Sequence, residues 1–153
     1  MNSIPFDDLA TCLAGEVHVG STMRRVYATD ASEYQELPAG VVLPETEKDL
    51  REIIRFAGQH QLGLIPRAAG TSLAGQCVGS GLVVDISKHF NRILSVDETT
   101  RRVRVQPGVV RDELNRFLAP KEMFFGPETS TANRAMIGGM VGNNSSGTTS
   151  IEY

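Results

Sequence analysis

Residues 62–85 read LGLIPRAAGTSLAGQCVGSGLVVD, and the fold follows from them. Two short apolar runs, Leu62–Pro66 and Leu82–Asp85, enclose a loop that carries Gly70, Gly75, Gly79 and Gly81, with Arg67 at its entrance and Thr71 and Ser72 at its centre. Glycines let backbone N–H groups come close to a bound group, and successive amides form a concave nest of donors. Hydroxyls and a guanidinium add contacts suited to phosphate oxygens. The composition therefore points to a phosphate-bearing cofactor.

Two other phosphate loops are excluded by the same residues. Gly70 and Gly75 have the Walker spacing, but Gln76-Cys77 stands where the lysine and the magnesium-binding hydroxyl belong. The dinucleotide fingerprint G-x-G-x-x-G, opening a helix after a strand, is missing as well, because Gly79-Ser80-Gly81 runs directly into LVVD.

Working outward, Val41-Val42-Leu43 before Pro44 reads as a strand, and Thr46-Glu47-Lys48-Asp49 reads as a capping box opening a helix to about Gln59. Leu50, Ile53, Ile54 and Ala57 fall on one face of that helix at i, i+3, i+4, i+7 spacing. Strand, helix and the Leu62–Pro66 strand make a βαβ unit with parallel strands, so the glycine loop leaves a strand's carboxyl end, where ligands of α/β folds bind. Earlier in the chain, Phe6–Leu13 reads as a helix with Ser3 and Pro5 as start signals and Gly15 as stop. Val17–Arg25 is ambiguous, with a short helix from Thr22 preferred, and Asp30 and Ser32 are turn or cap residues. Later, Arg92–Asp97 and Arg101–Gln106 form a hairpin whose apolar members are Ile93, Leu94, Val96, Val103 and Val105, closed by Pro107-Gly108. A helix over Val110–Leu118 follows, with Val110, Leu114, Phe117 and Leu118 inward and Pro120 beyond its end. The fold class is α+β: a small parallel βαβ subdomain with flanking helices, then the start of a mainly antiparallel subdomain.

The 153 residues suffice for one domain with a sizeable core, and no apolar run approaches the ~20 residues of a membrane span. Asp7 and Asp8 stand where a secretory signal is basic. The net charge of −3, with the arginine clusters interleaved with acids or confined to a strand, excludes a nucleic-acid partner. Cys12 and Cys77 are too few for a disulfide framework and read as reduced thiols, Cys77 as a small packing residue. The chain is expected in the cytoplasm, free or peripheral at a membrane.

The tail is the second informative stretch. FGPETSTANRAMIGGMVGNNSSGTTS is too dense in glycine, amide and hydroxyl to fill a core, and its Ile137, Met140 and Val141 are too close to the polar residues for a free linker. Gly138 and Gly139 remove bulk where something flat could lie, and Asn143, Asn144, Ser145 and Ser146 offer donors and acceptors.

Taken together, PRAAGTSLAGQ, VQPG and FGPETSTANRAMIGGMVGNNSSG resemble the PCMH-type FAD-binding domain of the vanillyl-alcohol-oxidase-like flavoproteins. Within that group they are most similar to the FAD-linked dehydrogenases of D-lactate, glycolate and D-2-hydroxyglutarate, over about Asp30 to Tyr153. The resemblance implies that Arg67, Ala68, Ala69, Gly70, Thr71 and Ser72 wrap the FAD diphosphate, with Gly75 and Gln76 continuing the wall and Pro107-Gly108 closing it. It further implies that Pro127, Glu128, Ile137, Gly138 and Gly139 line the adenosine-to-ribityl path, and that Asn143, Ser145, Ser146 and Gly147 reach toward the flavin. Ala68-Ala69 departs from the family's usual glycines, and an alanine at position 68 is strained if that position needs φ > 0. No histidine lies in either motif, so the FAD is implied to be non-covalent; His18, His60 and His89 read as surface or packing residues.

In the resembled enzymes a small 2-hydroxy acid delivers hydride to the flavin, and electrons leave to a quinone, a cytochrome or an electron-transfer flavoprotein. The catalytic base, the substrate arginines and any metal belong there to a following cap domain. The resemblance thus implies an excised N-terminal piece, inactive alone, with Ile151-Glu152-Tyr153 as an artificial edge, and no catalytic dyad or metal cluster can be assembled from the residues given. A reductase of the same fold acting on a UDP-sugar enol ether, and a non-catalytic module binding a phosphorylated ligand, are the other readings.

Overall fold

The computed structural model describes residues 4–152, which fall in two compact units divided between His89 and Phe90. Unit 1 is built on a four-stranded sheet of order β1-β2-β4-β3: β1 (Glu16–His18), β2 (Gly40–Leu43), β3 (Leu64–Arg67) and β4 (Leu82–Asp85). Here β1 runs antiparallel to β2, while β2 and β3 both run parallel to β4.

The expected βαβ strands are thus parallel but not neighbours, because β4 inserts between them. The side chains account for this. Leu82, Val83 and Val84 are buried, as suits a strand covered on both faces, whereas β3 carries Pro66, which has no N–H to donate and is tolerated at a sheet edge. The return from β3 to β4 runs through the glycine loop, residues 68–81, without a helix.

Alternation along the strands divides the core in two. Val42, Leu82 and Val84 face Leu9 of α1 (Phe6–Cys12) and Ile53 and Phe56 of α3 (Glu47–Gln59); Val41, Leu43 and Val83 face Tyr27 and Ile65 on the other side. The expected inner face of α3 is corrected at one position: Ile54 is 60% exposed, and Phe56 is buried in its place. Phe56 packs on Phe6 and His60, whose ring centroids lie 5.9 and 4.4 Å away, and this bulk sets the rotation of the helix. The capping box is present. Thr46 accepts from the Asp49 N–H at 3.1 Å, and the Asp49 carboxylate also takes the N–H groups of Ala14, Gly15, Glu45 and Thr46. One side chain therefore caps α3 and anchors the start of β1.

α1 ends at Cys12, one residue short of the expected Leu13, which is extended; of its expected start signals, Ser3 lies outside the described residues. The ambiguous stretch resolves into β1 and a short α2 (Ser21–Val26). Asp30 forms the expected turn, its Oδ1 accepting the Ser32 N–H at 2.8 Å.

Unit 2 holds the hairpin, β5 (Ile93–Asp97) and β6 (Arg102–Val105), then α4 (Arg111–Leu118), a 3₁₀ turn (Ala119–Lys121) and α5 (Ile137–Gly142). Ile93, Val96, Val103 and Val105 pack on Val109, Leu114 and Leu118. Two expected core residues lie outward. The register slips between Ile93 and Ser95, so Leu94 sits in a bulge facing solvent, and Phe117 is also exposed. Val110 is the residue before the helix and bridges to Met136.

Candidate functional site

Within unit 1 the glycine loop departs from β3 at Arg67. Among the described residues, none of the backbone N–H groups from Ala68 to Ser72 donates to a protein group. Gly70 takes φ +65°, a conformation that glycine adopts without strain and that occurs in backbone anion nests. Ala68 and Ala69 keep negative φ, so the strain that an alanine at position 68 would carry at φ > 0 is absent. The Ser72 hydroxyl is directed into the loop: it accepts from Ala74 and Gln76 N–H at 3.2 Å each and donates to Gln76 Oε1. It shapes the second half of the loop, which turns at Gly75 with φ +72°.

A second segment, residues 27–36, holds both ends of this loop. Arg67 Nη1 donates to the Thr29 carbonyl at 2.8 Å, with the guanidinium 5.2 Å from the Tyr27 ring centroid. The Tyr27 hydroxyl donates to Asp85 Oδ2 at 2.6 Å, and burial, then this acidic neighbour, push its pKa up. Ala31 N–H donates to the Gly70 carbonyl at 3.1 Å. Further along, Asp30 Oδ2 accepts the Cys77 N–H at 3.4 Å, and the Tyr34 ring closes on Gly75, where an added Cβ would stand 2.8 Å from it. Burial raises the pKa of Cys77, leaving it a protonated packing thiol.

In unit 2 the expected residues form two groups. Gly138 N–H donates to the Pro107 carbonyl at 2.7 Å, and a Cβ on Gly138 would lie 2.5 Å from Pro107 Cβ, so glycine is required for this approach. Ile137 N–H donates to Val109, Gly108 N–H to Phe90, and the exposed Gly139 completes the first turn of α5. The other group joins Pro127 and Glu128 to the tail: Glu128 N–H donates to the Ser146 carbonyl at 3.0 Å and Thr148 Oγ1 to Glu128 Oε2 at 3.2 Å. Gly147 has φ +90°, and an added Cβ would come within 2.0 Å of the Glu128 carbonyl oxygen. Asn143 and Ser145 continue from α5, their N–H groups bonded to Gly139 and Met140.

A family model described as an FAD binding domain matches residues 38–153. The chain belongs to this FAD-binding domain family. Its cofactor is FAD, and p-cresol methylhydroxylase shares its α+β fold, with a TM-score of 0.73 at 17% identity over 90% of this chain and 28% of that one. D-2-hydroxyglutarate dehydrogenase of Haemophilus influenzae is 40% identical over 142 residues, covering 91% of this chain and 14% of that protein. Glycolate oxidase subunit GlcD of Bacillus subtilis is 34% identical over 132 residues, covering 85% of this chain and 28% of that one. The chain thus spans about a seventh of the length of the first of these relatives. Among solved structures, alkyldihydroxyacetonephosphate synthase superposes with a TM-score of 0.84 at 18% identity over 97% of this chain and 33% of that one; the likeness is one of fold.

The residues of the FAD-binding domain fit that cofactor. The unpaired amides from Ala68 to Ser72 suit a diphosphate, and in unit 2 the buried hydroxyls of Thr129 and Thr149 have no protein partner among the described residues. The sequence reading missed both threonines, and it missed Arg111, which donates from Nε to the Pro127 carbonyl at 3.2 Å and so fixes the start of the GPETS segment. An orphaned hydroxyl and a bracing arginine leave no periodic signal. No helix of the described residues is long and apolar enough to cross a membrane, and they hold no cluster suited to a metal ion.

Proposed function

We propose that this chain is the cofactor-holding part of a longer FAD-linked dehydrogenase that oxidises a small D-2-hydroxy acid of the 2-hydroxyglutarate, glycolate or lactate type. The observation that carries this reading is the run of unpaired amides from Ala68 to Ser72, in a chain 40–42% identical to proteins named D-2-hydroxyglutarate dehydrogenase. FAD, when bound, supplies the hydride acceptor. The chain's own residues bind and orient it: the backbone of Ala68, Ala69, Gly70, Thr71 and Ser72 holds the diphosphate, with Gly75 and Gln76 continuing the loop. By resemblance to the family, Pro107, Gly108, Pro127, Glu128, Ile137, Gly138 and Gly139 are further contacts proposed for the cofactor, together with Asn143, Ser145, Ser146 and Gly147. With no histidine in these segments, the flavin is held without a covalent link.

The substrate-binding residues, the catalytic base and the electron-acceptor site belong to the rest of the longer protein. The names of the relatives favour a hydroxy acid over a UDP-sugar enol ether, and the family match favours an enzyme domain over a phosphate-binding module. The test is to purify the longer protein, record its flavin spectrum, and add D-2-hydroxyglutarate, D-lactate or glycolate without oxygen. Bleaching of the flavin band by one of them, with turnover once an artificial electron acceptor is added, is the expected outcome. A flavin that none of the three acids reduces would overturn the assignment of activity.

A further inference from the structure

The segment from Tyr27 to Ser32, which the sequence marks only as a turn, faces the glycine loop with both a cation and an anion between them. Arg67 leaves β3 at the loop entrance, yet its guanidinium is engaged beneath the loop: Nη1 reaches the Thr29 carbonyl at 2.8 Å, and the plane covers Tyr27. On its other side lies Gly70, where a Cβ would stand 2.6 Å from Nη2. Glycine at this position, with its positive φ, thus leaves room for the Arg67 guanidinium against the loop. Asp30 fixes the far end, holding the Ser32 N–H on one oxygen and the Cys77 N–H on the other. Burial opposes ionisation of Asp30, but these donors and Arg67 outweigh it and keep the carboxyl below its ordinary range. A carboxylate near an anion site is electrostatically adverse, so its presence is accounted for by what it holds.

We propose that Asp30 and Arg67 are positioning residues that lock the glycine loop in its diphosphate-binding shape, Arg67 acting through Thr29 and Gly70 and Asp30 through Cys77. This rests on the flavin reading above, and it makes a prediction of opposite sign to simple charge. If Asp30 only contributed field, Asp30→Asn would tighten FAD binding. As a positioning residue, its neutralisation weakens binding, by about tenfold on the scale seen when outer partners of a metal site are removed.

The experiment uses the 153-residue chain with Asp30→Asn, Arg67→Ala and the double variant. In the ligand-free chain, ¹⁵N order parameters of Gly70–Gly75 are expected to fall from about 0.85 to below about 0.6 in each variant, while the amides of β2 and β4 stay unchanged. Flavin-fluorescence titration is expected to give weaker FAD binding in both single variants, with little further loss in the double one. Unchanged loop order parameters, or an Asp30→Asn variant that binds FAD as well as or better than the parent, would overturn the proposal. A longer protein that is purified without flavin and takes up none would instead count against the flavin reading, and the order parameters would still decide the bracket. Arg67→Lys separates charge from shape: a lysine cannot lie flat between Tyr27 and Gly70, so it fails to restore the loop if positioning is the role, and full rescue by lysine contradicts it.

Discussion

Ala68 lies in the glycine loop, and its negative φ means that the backbone there suits any L residue. Ala68→Gly is therefore expected to lower stability, by about 0.4–1 kcal/mol through the added freedom of the unfolded chain, with no gain from relieved strain. Urea unfolding measures this, and a more stable glycine variant would mean that position 68 is strained after all. Asp49 carries a larger share. It is 1% exposed, and although burial raises its pKa, the surrounding N–H and hydroxyl donors outweigh burial and hold the carboxyl below its ordinary range. A folded pKa below the unfolded value of about 3.9 gives stability that is complete above that pH and is lost as pH falls through the folded value. Asp49→Asn should cost roughly 1.5–3 kcal/mol at pH 7 and flatten the drop in Tm below about pH 4. An acid profile that stays equally steep in the variant would show that another carboxylate governs it. The types of these residues were legible in the sequence, but their destinations were not. A capping box needs only residue identity at fixed spacing, whereas the reach of Arg67 to Thr29 depends on strands far apart in the chain.

At the scale of elements, α3 separates what periodicity settles from what packing settles. Leu50, Ile53, Ile54 and Ala57 fit a helical stripe, yet a stripe leaves its own rotation open by tens of degrees, and the aromatic contacts of Phe56 with Phe6 and His60 decide it. Ile54→Lys should consequently change stability by less than about 0.5 kcal/mol, whereas Ile53→Ala should cost about 2–5 kcal/mol. Chemical denaturation of the pair tests the assignment, and comparable losses at both positions would reverse it. The hairpin repeats the lesson. Its two strands and its turn were readable from alternation, but the bulge at Leu94 depends on a register slip that no single strand encodes.

For the whole molecule, the class of the fold and the FAD-binding family were legible because the glycine, hydroxyl and amide density that carries the resemblance is local. Strand order was not: the place of β4 between β2 and β3 follows from which strand can be covered on both faces, a property of the assembled sheet. That placement makes β3 an edge strand and leaves the amides beyond it unpaired, and the account depends on this consequence. The most direct measurement is a titration of the ¹⁵N-labelled chain with FAD, and separately with ADP, following the backbone amides of Ala68 to Ser72. The account predicts that these amides shift progressively with either ligand, since both carry the diphosphate, and that they gain protection from solvent exchange. FAD binding that leaves them unmoved would contradict it.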